Sequence, residues 1–196
     1  CKLGSPLIRN RATIGGNICN GAVSADSAPS LVALDARLVL SSRCGHREVP
    51  IQEFYLGPSR VALQPKELLT SIVIPKKAQY WGSCYMKFSM REAMDISTLG
   101  CAVVCSLQDD GGIHSCAISL GTAGPTPLRC KSAEASLQGR RLSAPLLHEA
   151  GKLTVLDANP RTSWRASKEY RQYLIEELSM RAIRQAYQQA GGDYFD

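Results

Sequence analysis

The sequence predicts an α+β protein in two parts, and three observations carry that expectation. Residues 85–120 hold three β-rich runs, the last two joined by a tight-turn sequence. Everything beyond residue 130 is patterned as helix, and a change of composition near residues 76–81 separates this half from an N-terminal part with strands of its own. Three strands followed by three helices make a small α+β sandwich, a three-stranded antiparallel sheet with its helices on one face. The expected divisions are 1–77, 78–190 and a tail at 191–196.

Taken in order, residues 8–30 are small, polar and turn-prone, with Ile14 and Ile18 as apolar pins. Long irregular segments of this kind are functional or disordered, and the interleaved apolar residues favour a packed functional loop. Residues 30–40 begin as a short helix and end as a strand that runs into the SSRCGH turn. Val49 to Phe54 and Leu68 to Ile74 read as further strands, the second β-branched and closed by Pro75. Tyr85 to Phe88, Leu99 to Leu107 and Ile113 to Leu120 are the three strands of the second part, with QDDGG as the hairpin turn. Cys101, Val103 and Cys105 share one face of the middle strand, the spacing of core packing. Helices follow at 131–138, at 143–156 behind the N-cap Ser143 with Pro145 in the first turn, and from Ser167 to Ala190. The last carries a stripe of Tyr170, Leu174 and Leu178 and is stopped by Gly191 and Gly192.

Composition narrows the function classes. A 44% hydrophobic content in 196 residues is ample for a core, and the net charge of +6 is scattered, with only 6% aromatic residues. A nucleic-acid binder concentrates its charge on one stripe, so none is expected here; an anionic small ligand suits a mild positive excess. No apolar stretch approaches the ~18–20 residues that span a membrane. The eight cysteines contain no CxxC pair, and no charged start leads into an apolar run. Reduced cysteines of a cytoplasmic protein, acting as small core hydrophobes, are the expectation, with no metal or iron–sulfur site on this chain. His46, His114 and His148 are isolated and fit neither a triad nor a metal site.

The most informative run is Thr13-Ile14-Gly15-Gly16-Asn17-Ile18. Two adjacent glycines strip the side chains from a turn, so that backbone N–H groups can approach an anion directly. The pattern is neither GxGxxG nor a P-loop, and taken alone a Gly-Gly pair is more often an ordinary tight turn. Its setting adds to it. IRNRATIGGNICNGAVSAD (residues 8–26) resembles the second phosphate-gripping loop of the FAD-binding domain shared by xanthine dehydrogenases and carbon monoxide dehydrogenase flavoproteins, a fold of the vanillyl-alcohol oxidase type. FSMREAMDISTLGCA (88–102), AGPTPLRC (123–130) and SWRASKEYR (163–171) resemble the C-terminal domain that follows it in molybdenum hydroxylases. Within that family the chain resembles the bacterial three-subunit xanthine dehydrogenases over essentially its whole length.

The resemblance implies FAD as cofactor and assigns residues to it. Gly15, Gly16 and Asn17, flanked by Thr13 and Ile14, would hold the pyrophosphate. Asn20 and Asp26 would lie along the ribityl and adenosine part, Asp26 accepting hydrogen bonds from hydroxyls; the plainer alternative for Asp26 is a turn or cap residue. Leu69 would border the isoalloxazine ring, or be a plain strand-core leucine. Lys87, inside an apolar strand, would lie near the flavin and favour its reduced, more negative form, unless strand alternation points it to solvent. At ~4 Å and an effective dielectric of ~20 that attraction is on the order of 4 kcal/mol before desolvation. Trp164, Arg165, Ser167, Tyr170 and Arg171 are read as packing and domain-docking residues, and no bond-making catalytic residue is expected on the chain.

The implied function is electron transfer, from 2Fe–2S clusters through FAD to NAD. The implied partners are a molybdopterin-binding large subunit and a 2Fe–2S subunit. The family's FAD domain carries a further glycine-rich loop in an N-terminal lobe not present in this sequence, which opens on Cys1 and reads as a piece of something longer. That lobe is expected from another chain, from an upstream part of the gene, or as a segment lost from this protein. Two other readings share the motifs: the flavoprotein of an aldehyde, nicotinate or carbon monoxide dehydrogenase, and an interaction module that has lost FAD.

Overall fold

The computed structural model describes residues 3–77, 79–92 and 94–194 and has the expected α+β architecture. Its N-terminal stretch differs from the loop expected over residues 8–30. It forms three short helices, α1 (Pro6–Arg9), α2 (Ile14–Cys19) and α3 (Ser27–Ala33). Glycine, serine and asparagine hide helices because each lowers helix propensity, glycine by about 1 kcal/mol against alanine. Caps compensate here: Ser5 Oγ accepts from Ile8 N–H, and Thr13 Oγ1 accepts from Gly16 N–H. Ile18 anchors α2 in the core with no exposure, whereas Ile14, the other expected pin, is 56% exposed at the first turn.

Strand β1 (Arg37–Ser42) pairs antiparallel with β2 (Gly45–Pro50) on one side and β5 (Leu68–Val73) on the other, giving the order β2-β1-β5. The strand expected at Val49 to Phe54 ends at Pro50, and Ile51–Phe54 is the single helical turn α4. Proline contributes no N–H to the following ladder, and the i, i+3 pair Ile51 and Phe54 is fully buried by the turn. The small hairpin β3 (Tyr55–Gly57) and β4 (Arg60–Val61) follows. Leu31, Val32, Leu38, Leu40, Ile51 and Phe54 form the core of this half.

The second sheet has four strands where three were expected: β6 (Trp81–Phe88), β7 (Leu99–Leu107), β8 (Ile113–Gly121) and the two-residue edge strand β9 (Leu128–Arg129), in the order β6-β7-β8-β9. Two residues carry no readable alternation, which is why β9 is silent in the sequence. Helices α5 (Lys131–Leu137), α6 (Ala144–Asp157) and α7 (Lys168–Gln189) cover one face. That is the placement expected for them; the sheet's other face is covered as well, by α3 of the N-terminal half. All of β7 is buried, because its two faces meet different cores. Leu99, Cys101, Val103, Cys105 and Leu107 pack under α5–α7, while Ala102 and Val104, with Ala117 of β8, meet Ala33 of α3.

Close approach is built in at two glycines. A Cβ on Gly121 would lie 2.8 Å from the Pro29 ring, and one on Gly82 would lie 2.3 Å from the Ala186 carbonyl oxygen. The first lets α3 lie against β8, the second lets α7 lie against β6. Helix α7 opens on Ser167, whose Oγ accepts from Tyr170 N–H, and ends where Gly191 turns at φ +96° and Gly192 N–H reaches back to the Tyr187 carbonyl. Its buried apolar stripe begins at Leu174; Tyr170, expected as part of it, is 44% exposed and meets Phe88 edge-on instead. Cys84, Cys101, Cys105, Cys116 and Cys130 are buried free thiols. Among the described residues no helix is long and apolar enough to cross a membrane, and no group of three or more His, Cys, Asp or Glu is placed to hold a metal.

Candidate cofactor site

The Gly-Gly pair lies in the first turn of a helix. Asn17 N–H makes the first intrahelical bond, to the Thr13 carbonyl, and Gly16 N–H is taken by the Thr13 hydroxyl at 3.0 Å. The N–H groups of Ile14 and Gly15 precede the intrahelical ladder and point off the exposed end of α2. A Cβ on Gly16 would come 3.0 Å from Thr13 Oγ1, so the cap itself asks for glycine there. At Gly15 a Cβ would meet only Leu69 Cδ2, at 3.8 Å. The space over Gly15 is thus open, with a half-buried leucine of β5 beside it. Bare backbone amides, a leucine wall and no side chain in between form a surface that fits a pyrophosphate and the apolar ring system of a dinucleotide.

Asn17 turns inward, its Oδ1 accepting from Ser27 Oγ at 2.5 Å. That bond ties α2 to the start of α3, next to Asp26. Asn20 caps the other end of α2 and is exposed there; six helical residues at 1.5 Å each set it about 9 Å from the amide end, so it is not gathered with the glycines.

Asp26 and Lys87, far apart in sequence, are brought into contact. Lys87 Nζ lies 2.8 Å from Asp26 Oδ2, and the two side chains are 6% and 12% exposed. Strand alternation sends Cys84 and Met86 of β6 toward the helix-covered core and Tyr85 and Lys87 toward α3. The lysine therefore points into the seam between the two halves and not to solvent. Asp26 precedes α3 but makes no side-chain cap bond. Its Oδ1 accepts instead from the Tyr85 hydroxyl at 3.1 Å and from Ser97 Oγ, and Lys87 also donates to the Asp95 carbonyl at 2.9 Å. Burial first, then the Asp26 charge and its hydrogen bond, push the Tyr85 phenol well above its usual range, so it stays a donor. Tyr85 and Ser97 were not among the residues read from sequence. Tyr85 carried a signal in sharing a strand face with Lys87 at i, i+2; Ser97, in an irregular segment, carried none.

Beside this network opens a cleft of about 680 Å³, lined in part by Ser24, Ile96, Ser97, Gly124, Trp164 and Arg171, with Arg161 and Arg165 on its wall. Arg171, only 5% exposed, donates to the carbonyls of Thr98 and Thr122 and to Ser163 Oγ, which is the packing role read for it. Its Nε and that of Arg165 are buried without a hydrogen-bond partner. Burial, then the charges of Arg161 and Arg165, lower the pKa of Arg171, the mark of a locally crowded positive site. Trp164, read as a packing and domain-docking residue, is 77% exposed, with the Arg165 guanidinium 4.0 Å above its ring.

Residues 1–77 match the FAD binding domain in molybdopterin dehydrogenase, and residues 84–186 match the CO dehydrogenase flavoprotein C-terminal domain. The chain belongs to this flavoprotein family of the molybdenum hydroxylases, whose cofactor is FAD. Within the family it is 44% identical to the xanthine dehydrogenase FAD-binding subunit of Escherichia coli O157:H7 over 191 residues, 97% of this chain and 65% of the relative. The nicotinate dehydrogenase FAD-subunit of Eubacterium barkeri is 32% identical over 188 residues, 90% of this chain and 62% of the relative. The solved carbon monoxide dehydrogenase of Hydrogenophaga pseudoflava superposes with a TM-score of 0.91 at 30% identity, over 96% of this chain and 65% of that one. The chain thus spans somewhat less than two thirds of the length of the relatives it matches.

Proposed function

We propose that this chain is the FAD-bearing electron-transfer component of a xanthine dehydrogenase-type molybdenum hydroxylase. Its partners in that reading are a molybdopterin-binding large subunit and a 2Fe–2S subunit, and its terminal acceptor is NAD. The observation that carries the reading is the gathering of the motif residues. The Thr13–Asn17 amide end stands beside Leu69 and is linked through Asn17 and Ser27 to the Asp26–Lys87 pair. The xanthine-type assignment rests on 44% identity to that relative against 32% to the nicotinate enzyme.

In this reading the amides of Ile14 and Gly15 hold the pyrophosphate at the α2 end, where the partial positive charge of the helix favours an anion. Leu69 walls the ring system. Asn20 lies further along the cofactor, and Asp26 acts chiefly by fixing Lys87, since three protein donors occupy most of its roughly four acceptor positions. When bound, FAD supplies the redox step, taking electrons from iron–sulfur clusters and giving hydride to the acceptor. The arginine-lined cleft suits the phosphates of a dinucleotide acceptor, and the exposed Trp164 a planar ring.

The test is a visible absorption spectrum of the purified protein incubated with FAD and passed through gel filtration, followed by anaerobic addition of NADH. A retained flavin band that bleaches with NADH is expected. A natively folded protein that releases all flavin even with the N-terminal lobe supplied would overturn the cofactor assignment for this chain. A retained band that NADH leaves unbleached would overturn NAD as the acceptor.

A further inference from the structure

A carboxylate and an ammonium in contact nearly cancel at a distance, so the field such a pair presents depends on what else holds each charge. At Asp26 the division is clear. Oδ2 faces Lys87 Nζ, while Oδ1 takes two hydroxyls, one from Tyr85 on β6 and one from Ser97 on the segment entering β7. Ser97 is 4% exposed and lines the arginine-bearing cleft. The Tyr85 ring lies across Gly100, where a Cβ would come 3.1 Å from its hydroxyl oxygen. Both hydroxyls are fixed by their surroundings, and both draw electron density from the oxygen that does not face the lysine. Without them the carboxylate would be a stronger negative source and free to turn both oxygens on Lys87, and the ammonium would be more completely cancelled.

We propose that Tyr85 and Ser97 are positioning residues for the electron-transfer step: by holding Asp26 Oδ1 they keep the Lys87 ammonium in place and incompletely neutralised, which favours reduced flavin. This inference rests on the reading that FAD borders Lys87. It assigns to two hydroxyls a task that a simple latch between the halves of the molecule would not perform. A latch contributes only stability, whereas a field-setting hydroxyl moves the redox equilibrium.

The experiment is a dye-linked redox titration of the flavin-loaded protein, comparing native, Ser97→Ala, Tyr85→Phe, the double variant, Ser97→Thr and Lys87→Met, with a melting curve for each. The double variant is expected to shift the equilibrium roughly tenfold toward oxidised flavin, about 30 mV for a two-electron couple. Each single variant moves part of the way, Ser97→Thr stays native-like because it keeps the hydroxyl, and Lys87→Met moves further in the same direction. If Lys87→Met shifts the potential while the hydroxyl variants leave it unchanged, lower melting temperatures or not, the inference is wrong and the cofactor reading stands. If Lys87→Met shifts nothing, or the native protein holds no flavin to titrate even with the N-terminal lobe supplied, the reading fails and the inference falls with it. Should the double variant not fold, the single variants decide in the same way.

Discussion

At the scale of single residues, Gly15 separates structural from ligand-binding demands. It sits in a helix, where alanine is favoured by about 1 kcal/mol, and a Cβ there would make only an ordinary 3.8 Å contact with Leu69. Gly15→Ala is therefore expected to raise the thermal midpoint or leave it unchanged, while the added methyl shields the amide surface and lowers FAD retention about tenfold. Melting curves and equilibrium gel filtration in FAD measure the two effects. A destabilised variant with native flavin retention would mean the glycine serves only the fold. The pattern of small residues around Thr13–Asn17 was legible in the sequence, although its conformation was not, because a two-glycine helix looks like a turn until its caps are seen. Lys87 was legible as a misfit in an apolar strand. Its partner was not, since nothing in one dimension joins it to Asp26.

At the scale of elements, β5 owes its seating to an ion pair at its entrance. Arg47 of β2 grips Glu67 with Nε to Oε1 at 2.7 Å and NH2 to Oε2 at 2.9 Å, and Gln64 N–H adds a third donor at 2.7 Å. These bonds, those of Arg47 first, lower the Glu67 carboxyl from 4.5 to about 2. A carboxyl whose folded value lies below its unfolded value adds stability that is complete above the unfolded value and is lost as pH falls toward the folded one. Native protein should thus be more stable than Glu67→Gln near pH 6, and the gap should close between about pH 4.5 and pH 2. Urea midpoints at both ends of that window are the check; a constant gap would show that the charge is not what seats the strand. Strand β5 was readable from its β-branched residues and the closing Pro75, and β7 and α7 from periodicity. The misses at α4 and β9 share one cause, since elements of four and two residues are too short to display a period.

At the scale of the whole molecule, the two halves share more than the Asp26–Lys87 pair. Helix α3 supplies the cover for the second sheet, and Arg129 of β9 spans the seam. Its NH1 reaches Asp35 at 2.6 Å, while Nε and NH2 reach Glu134 of α5 at 2.5 and 2.9 Å. This coupling was invisible in the sequence, where the composition break near residue 76 argues for separable parts. Its consequence is that α3 and β7 should open together. Native-state hydrogen exchange is expected to give Val32 and Val103 amides the same opening free energy and the same denaturant dependence. Arg129→Met takes the guanidinium from the Glu134 carboxylate, which is 11% exposed and keeps Lys131 Nζ at 3.5 Å and the Ile118 N–H at 2.9 Å; losing the charged hydrogen bonds costs about 2 kcal/mol, and both amides should weaken by that amount. If only one responds, the halves unfold independently. A site built across their seam would then be only as durable as the weaker half. If both respond, the alignment of Lys87, Asp26 and the cleft is protected by the global stability of the protein, as the proposed electron-transfer role requires.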